Sequence, residues 1–155
     1  MKKFDIKSFV IITLITFFIG GFFAFFTSNS MDTFKELNKP VNIPGILFPI
    51  VWSILYLLMS ISCYIIYKSG SKDKKKAIII YTVQLIINSL WTLIFFGFEA
   101  YLLAFIWILL LFTSIIIMII TFYNIDKRAA YLNIPYIIWT AFAGYLNLGI
   151  YLLNR

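Results

Sequence analysis

The chain has 155 residues, 63% of them apolar or aromatic and 12% charged, with thirteen basic residues against six acidic ones and a net charge of +7. So few polar groups cannot cover that much apolar surface in water, which excludes an ordinary soluble domain. There is no histidine and one cysteine, Cys63, which excludes imidazole-built metal sites, His-dependent hydrolysis and an internal disulfide framework.

A helix crossing a bilayer needs about 20 mostly apolar residues. Five runs meet that length, at about 6–26, 46–67, 77–98, 101–123 and 129–153. They are too long and too continuous for the alternating strands of about ten residues that build a membrane barrel. The expected fold is an all-α integral membrane protein, a five-transmembrane-helix bundle occupying 1–155 as a single domain.

The first run follows Lys2, Lys3 and Lys7 and would pass for a secretory signal, except that its apolar stretch is about twice the usual length and no small-x-small cleavage site follows. It carries Gly20 and Ala24 four residues apart, a spacing that permits close helix approach. In the second run Pro49, Trp52, Tyr56, Ser60, Cys63 and Tyr67 recur at intervals of three or four, so they share one stripe. The third repeats the pattern with Tyr81, Gln84, Asn88, Trp91 and Phe95. In the fifth, Pro135, Trp139, Ala143 and Asn147 recur every fourth residue, and Thr140 and Gly144 form a second small pair.

Three such stripes predict one shared interior surface. Amides such as Gln84, Asn88 and Asn147 would cost several kcal/mol facing lipid unpaired, so they should point inward. Two readings stay open for what they meet there. They bond one another across plain helix interfaces, or they orient a flat, largely apolar ligand among aromatic rings.

Sorting charges by alternate sides places Lys2, Lys3, Lys7, Lys68, Lys72, Lys74, Lys75, Lys76, Lys127 and Arg128 with the amino terminus, and Lys35, Lys39 and Arg155 opposite. Basic residues near span ends stay in the cytoplasm, so the expected topology has the amino terminus inside and the carboxyl terminus and the 27–45 loop outside, in the cell membrane. The basic cluster at 68–76 lacks the interleaved aromatics that stack bases; it suits anionic lipid headgroups and not nucleic acid. All six acids, Asp5, Asp32, Glu36, Asp73, Glu99 and Asp126, fall at or beyond span ends, which disfavours an ion-coupled pump. No internal repeat and no phosphate-binding glycine loop is visible.

The stretch Leu37-Asn38-Lys39-Pro40, then Pro44 and Val51-Trp52-Ser53-Ile54-Leu55-Tyr56, resembles the translocator protein family, also called the tryptophan-rich sensory protein or peripheral-type benzodiazepine receptor family, in its bacterial form. Two further blocks agree in order and spacing: Tyr81 to Asn88 with Trp91 and Phe95-Phe96-Gly97, and Pro135 to Ala143 with Leu146-Asn147.

The resemblance implies a five-helix membrane protein, often a homodimer, that binds porphyrins such as protoporphyrin IX or haem, sterol-like lipids and aromatic drug-like ligands in a pocket closed by the 27–45 loop. No cofactor or metal is required. Positions matching the family's pocket are Trp52, Tyr56, Asn88, Trp91, Trp139, Ala143, Leu146 and Asn147. The resemblance supports a binding protein or carrier, in stress or tetrapyrrole sensing. The alternative is light-dependent degradation of protoporphyrin IX, for which Trp52 and Trp139 are the catalytic candidates. The sequence departs from the family where Thr33-Phe34 and Asn42-Ile43-Pro44 replace two loop tryptophans and a proline, and where Trp107 stands in place of an acidic residue, so lid closure and ligand preference are expected to differ. Leu148, Tyr151 and Arg155 satisfy a cholesterol-type pattern, although Tyr and Arg also anchor span ends at the interface.

Overall fold

A computed structural model describes residues 3–155. Its helices are α1 (Ile6–Phe26), α2 (Ser30–Glu36), α3 (Leu47–Lys68), α4 (Lys74–Thr92), α5 (Tyr101–Tyr123), α6 (Lys127–Tyr131) and α7 (Ile134–Leu153), with no strand among the described residues. Five helical stretches are long and apolar enough to cross a membrane: α1, α3, α4 with its continuation to Gly97, α5, and α6 with α7.

Local chemistry sets the ends. Asp5 caps α1, its carboxylate accepting from the Ser8 hydroxyl and, at 3.2 Å, from the Ser8 N–H; these bonds hold the carboxyl below the usual aspartate range. Pro49 lies in the first turn of α3, where its missing N–H is not needed. The fifth run is not one helix. Pro135 has no N–H to offer the Tyr131 carbonyl, so the chain breaks at Leu132–Asn133 and restarts with proline in the first turn of α7. Asn133 fastens the break by donating to Ser62 Oγ at 2.7 Å and to the Ala129 carbonyl at 2.9 Å.

α4 ends in a π-helical turn, Leu93–Gly97, closed by the Phe98 N–H on the Leu93 carbonyl at 3.0 Å. The wider turn re-aims Phe95 and Phe96 relative to a regular helix. Glu99 follows in the left-handed region, φ 52°.

α1 packs on α3 and α4, and α4 and α7 both pack on α5. The core between them is apolar, with Leu85, Leu111, Ile115, Met118, Phe122 and Ile150 fully buried. Outward faces are equally apolar: Phe18, Phe25 and Phe26 on α1 and Leu103, Ile106 and Leu109 on α5 are exposed. A belt of that kind requires a lipid solvent. Only Thr16 and Gly20 are buried on α1, and three tyrosines tie that helix down. The Asp5 N–H donates to Tyr64 Oη at 2.7 Å, Thr16 Oγ1 and Tyr81 Oη share a bond of 2.6 Å, and Tyr56 Oη donates to the Gly20 carbonyl at 2.8 Å.

Three of the four small residues in these pairs make contacts inside the chain. Gly20 lies under the Tyr56 ring and Gly144 beside Ile108, while the Thr140 hydroxyl donates to its own helix at the Tyr136 carbonyl.

Candidate functional site

A cavity of about 350 Å³ lies among α1, α3, α4 and the first loop. α1 supplies Phe17, Gly21 and Ala24, one stripe at helical spacing. α3 supplies Phe48, Pro49, Trp52, Ser53 and Tyr56; α4 and its π turn supply Trp91, Thr92 and Phe96; Thr27, Ser28 and Met31 complete the wall. No lining residue carries a charge.

Trp52 is the centre of the aromatic wall. Its ring stacks on Tyr56 at 5.7 Å, meets Tyr136 edge-on at 6.1 Å and lies 6.5 Å from Trp91. Trp91 stacks on Phe95 at 5.2 Å. The π turn therefore contributes directly, since it delivers Phe96 to the wall and Phe95 behind it.

Of the positions anticipated from sequence, Trp52, Tyr56 and Trp91 line this cavity. Asn88 and Asn147 lie behind it, each bonded within the chain. Asn88 Nδ2 donates to Tyr136 Oη at 2.7 Å, and Tyr136 donates to Gln84 Oε1 at 2.8 Å. Asn147 Oδ1 accepts from Trp91 Nε1 at 3.1 Å while its Nδ2 donates to the Tyr101 carbonyl at 2.7 Å. These amides hold the indole and phenol rings in place. Ala143 and Leu146 are buried in the core of the bundle. Trp139 is separated from the cavity by Phe48, against which it packs edge-on at 5.9 Å, and its buried Nε1 has no acceptor.

The lining residues of α1 and the loop were not anticipated, nor were Phe48, Ser53, Thr92 and Phe96. The one signal for α1 was its run of small residues at Gly20, Gly21 and Ala24.

The first loop is fastened over the bundle end. Phe34 is 2% exposed and packs among Phe48, Phe95 and Phe96 at ring distances of 5.2, 6.4 and 6.0 Å. Lys39 closes the end of α2, its Nζ donating to the carbonyls of Phe34, Lys35 and Leu37 at 2.7, 3.2 and 2.9 Å. Pro40 lies directly on Gly149, where a Cβ would come within 2.3 Å of the proline ring.

An all-helical bundle with five membrane-crossing stretches and a lipid-facing apolar belt defines a multi-pass membrane protein. The TspO/MBR family signature matches residues 9–153. The chain is 35% identical over 138 residues to tryptophan-rich protein TspO of Archaeoglobus fulgidus, covering 88% of this chain and 90% of that one. It is 34% identical to protein CrtK of Rhodobacter capsulatus, covering 78% of each, and 31% identical to the human translocator protein, covering 84% of this chain and 78% of that one. The chain belongs to the TspO/MBR family.

Proposed function

We propose that this protein binds flat, largely apolar molecules of the porphyrin, sterol-like lipid and aromatic drug-like classes in the cavity beneath its first loop, as a membrane binding protein or carrier in stress or tetrapyrrole sensing. The observation that carries this reading is the aromatic cavity itself, with Trp52, Tyr56, Trp91, Phe48 and Phe96 in an uncharged wall. Its volume lies within the range of pockets that enclose small ligands, about 300–1,000 Å³. Relatives named as a tryptophan-rich sensory protein and as a translocator protein support a sensory or carrier role. The proposal includes a cell-membrane location with the amino terminus cytoplasmic, on the charge asymmetry of the loops, and a homodimer surrounded by lipid.

A second reading is enzymatic. Trp52 lies within 6.5 Å of Tyr56, Tyr136 and Trp91, a contiguous set of oxidisable rings beside any light-absorbing molecule in the cavity. One experiment separates the two. The purified protein is titrated with protoporphyrin IX and then illuminated. Quenched tryptophan fluorescence with an unchanged porphyrin spectrum supports binding alone; spectral conversion that Trp52→Phe or Trp139→Phe abolishes supports catalysis. No quenching by a porphyrin or an aromatic drug-like compound removes both readings.

A further inference from the structure

Resting on the binding reading above, we infer that ligands reach the cavity sideways from the bilayer, through a window between the loop-side halves of α1 and α3, while the first loop stays shut.

The argument starts with where the cavity is closed. At its inner end the Tyr56 ring lies against Gly20 and its hydroxyl donates to the Gly20 carbonyl at 2.8 Å, which seals α1 to α3. At the loop end Phe34 is buried against Phe48, Phe95 and Phe96. Lys39 ties the end of α2 to three carbonyls, Pro40 lies on Gly149, and Asn154 bonds both backbone groups of Asn38. Opening the loop requires several of these contacts to break together.

The side between α1 and α3 is different. Ala24 and Ser28 at the end of α1, and Pro49 and Ser53 on α3, line the cavity and are exposed at once, whereas the wall of Phe48, Tyr56 and Trp91 is buried. Side chains that face both the interior and the surroundings mark the mouth. Both rims are small, so no interdigitating side chain fills the gap between the two helices. The large neighbours Phe25 and Ile50 are exposed and do not line the cavity.

The depth of this mouth sets what passes through it. Ser53 stands in the second turn of α3, about 9 Å below the helix start at 1.5 Å per residue, so the mouth reaches down among acyl chains. Its hydroxyls are already satisfied, Ser53 Oγ donating to the Pro49 carbonyl at 2.7 Å and Ser28 Oγ to the Phe25 carbonyl at 3.2 Å. Such a rim faces lipid without the cost of an unpaired polar group. A flat apolar molecule dissolved in the loop-side leaflet moves from acyl chains to the aromatic wall without crossing water.

The test uses the full chain in phosphatidylcholine nanodiscs with protoporphyrin IX, and stopped-flow tryptophan quenching reads association and release. Two double variants are compared before and after treatment with a short flexible bis-maleimide: Ala24→Cys with Ser53→Cys across the mouth, and Asn38→Cys with Asn154→Cys across the loop. The native thiol, Cys63, is buried. The link across the mouth is expected to slow association and release alike, by at least about tenfold, with the equilibrium affinity unchanged, because a barrier on the path divides both rates by one factor. The link across the loop is expected to change neither rate. Any other result at the mouth, or slowing by the loop link, would overturn the lateral route and leave the binding reading intact. No quenching in the parent chain or in either variant before the bis-maleimide is added would remove the binding reading and the route together.

Discussion

Asn154 holds Asn38 by both of its backbone groups: the carboxamide oxygen accepts from the Asn38 N–H at 3.0 Å, and the carboxamide nitrogen donates to the Asn38 carbonyl at 2.8 Å. The two residues are 116 positions apart, so the residue that follows α7 clasps the loop that walls the cavity. One turn earlier Gly149 receives Pro40. The clasp is exposed, and its loss is expected to cost about 1 kcal/mol, which raises the open population of the loop roughly fivefold. Trypsin should therefore cleave Asn154→Ala faster than the parent at Lys35, with helix content unchanged. Equal cleavage rates would show that Phe34 and Pro40 hold the loop without help.

Two adjacent glycines separate stability from binding. A methyl group at Gly20 would stand 2.5 Å from Tyr56 Cε1 and displace the ring whose hydroxyl reaches the Gly20 carbonyl. Gly20→Ala is expected to destabilise the bundle by about 1–3 kcal/mol, read as a lower thermal midpoint in detergent. Gly21 has open space and lines the cavity. Gly21→Leu should leave the midpoint where it was and abolish ligand quenching.

Asn147 is expected to be the costliest amide to remove. It satisfies the buried indole N–H of Trp91 and the carbonyl of Tyr101 together. Asn147→Leu leaves the Trp91 donor unpaired, at a cost of about 1–2 kcal/mol, and frees the indole to turn, so tryptophan emission should shift along with the thermal midpoint. Thr113 offers the contrast. Its exposed hydroxyl bonds only its own helix at Leu109, and Thr113→Val should change neither readout.

The five long helices were legible because hydrocarbon thickness imposes a length that few other folds require, and because the acids cluster at span ends. Within the 27–45 loop, α2 was not legible. It is seven residues long and has no periodicity of its own; the carbonyl bonds of Lys39 and the burial of Phe34 hold it, and the rings that bury Phe34 lie 14 to 62 residues away, at Phe48, Phe95 and Phe96. The break before α7 was latent in Pro135, whose ring cannot continue a helix through Leu132 and Asn133. At the cavity, Trp52, Tyr56 and Trp91 were readable as stripes. The contribution of Phe17, Gly21 and Ala24 was not, since α1 is apolar on all sides and periodicity cannot say which side faces inward. Whether Asn88 and Asn147 meet a ligand or each other's helices was undecided by spacing. Their partners, Tyr136 and Trp91, lie 48 and 56 residues away.

Asp126 provides a pH test outside the membrane. Its carboxylate caps α6, accepting from the Arg128 N–H at 2.9 Å, and pairs with the Arg128 guanidinium at 2.8 Å. The Arg128 side-chain bond, together with its charge, holds the carboxyl below the usual aspartate value. A folded pKa below the unfolded one, about 3.9, means that this contribution is fully present above that value and is lost as pH falls through the folded pKa. Hydrogen exchange across Lys127–Tyr131, corrected for the intrinsic rate, should therefore be constant between pH 5 and 8 and accelerate below about pH 4. Asp126→Asn keeps a capping oxygen without the charge and should remove the acid-side acceleration. Asp126→Ala loses the cap and should raise exchange at every pH, by an amount equivalent to about 1 kcal/mol. Acceleration below pH 4 that persists in Asp126→Asn would assign the titration to another group.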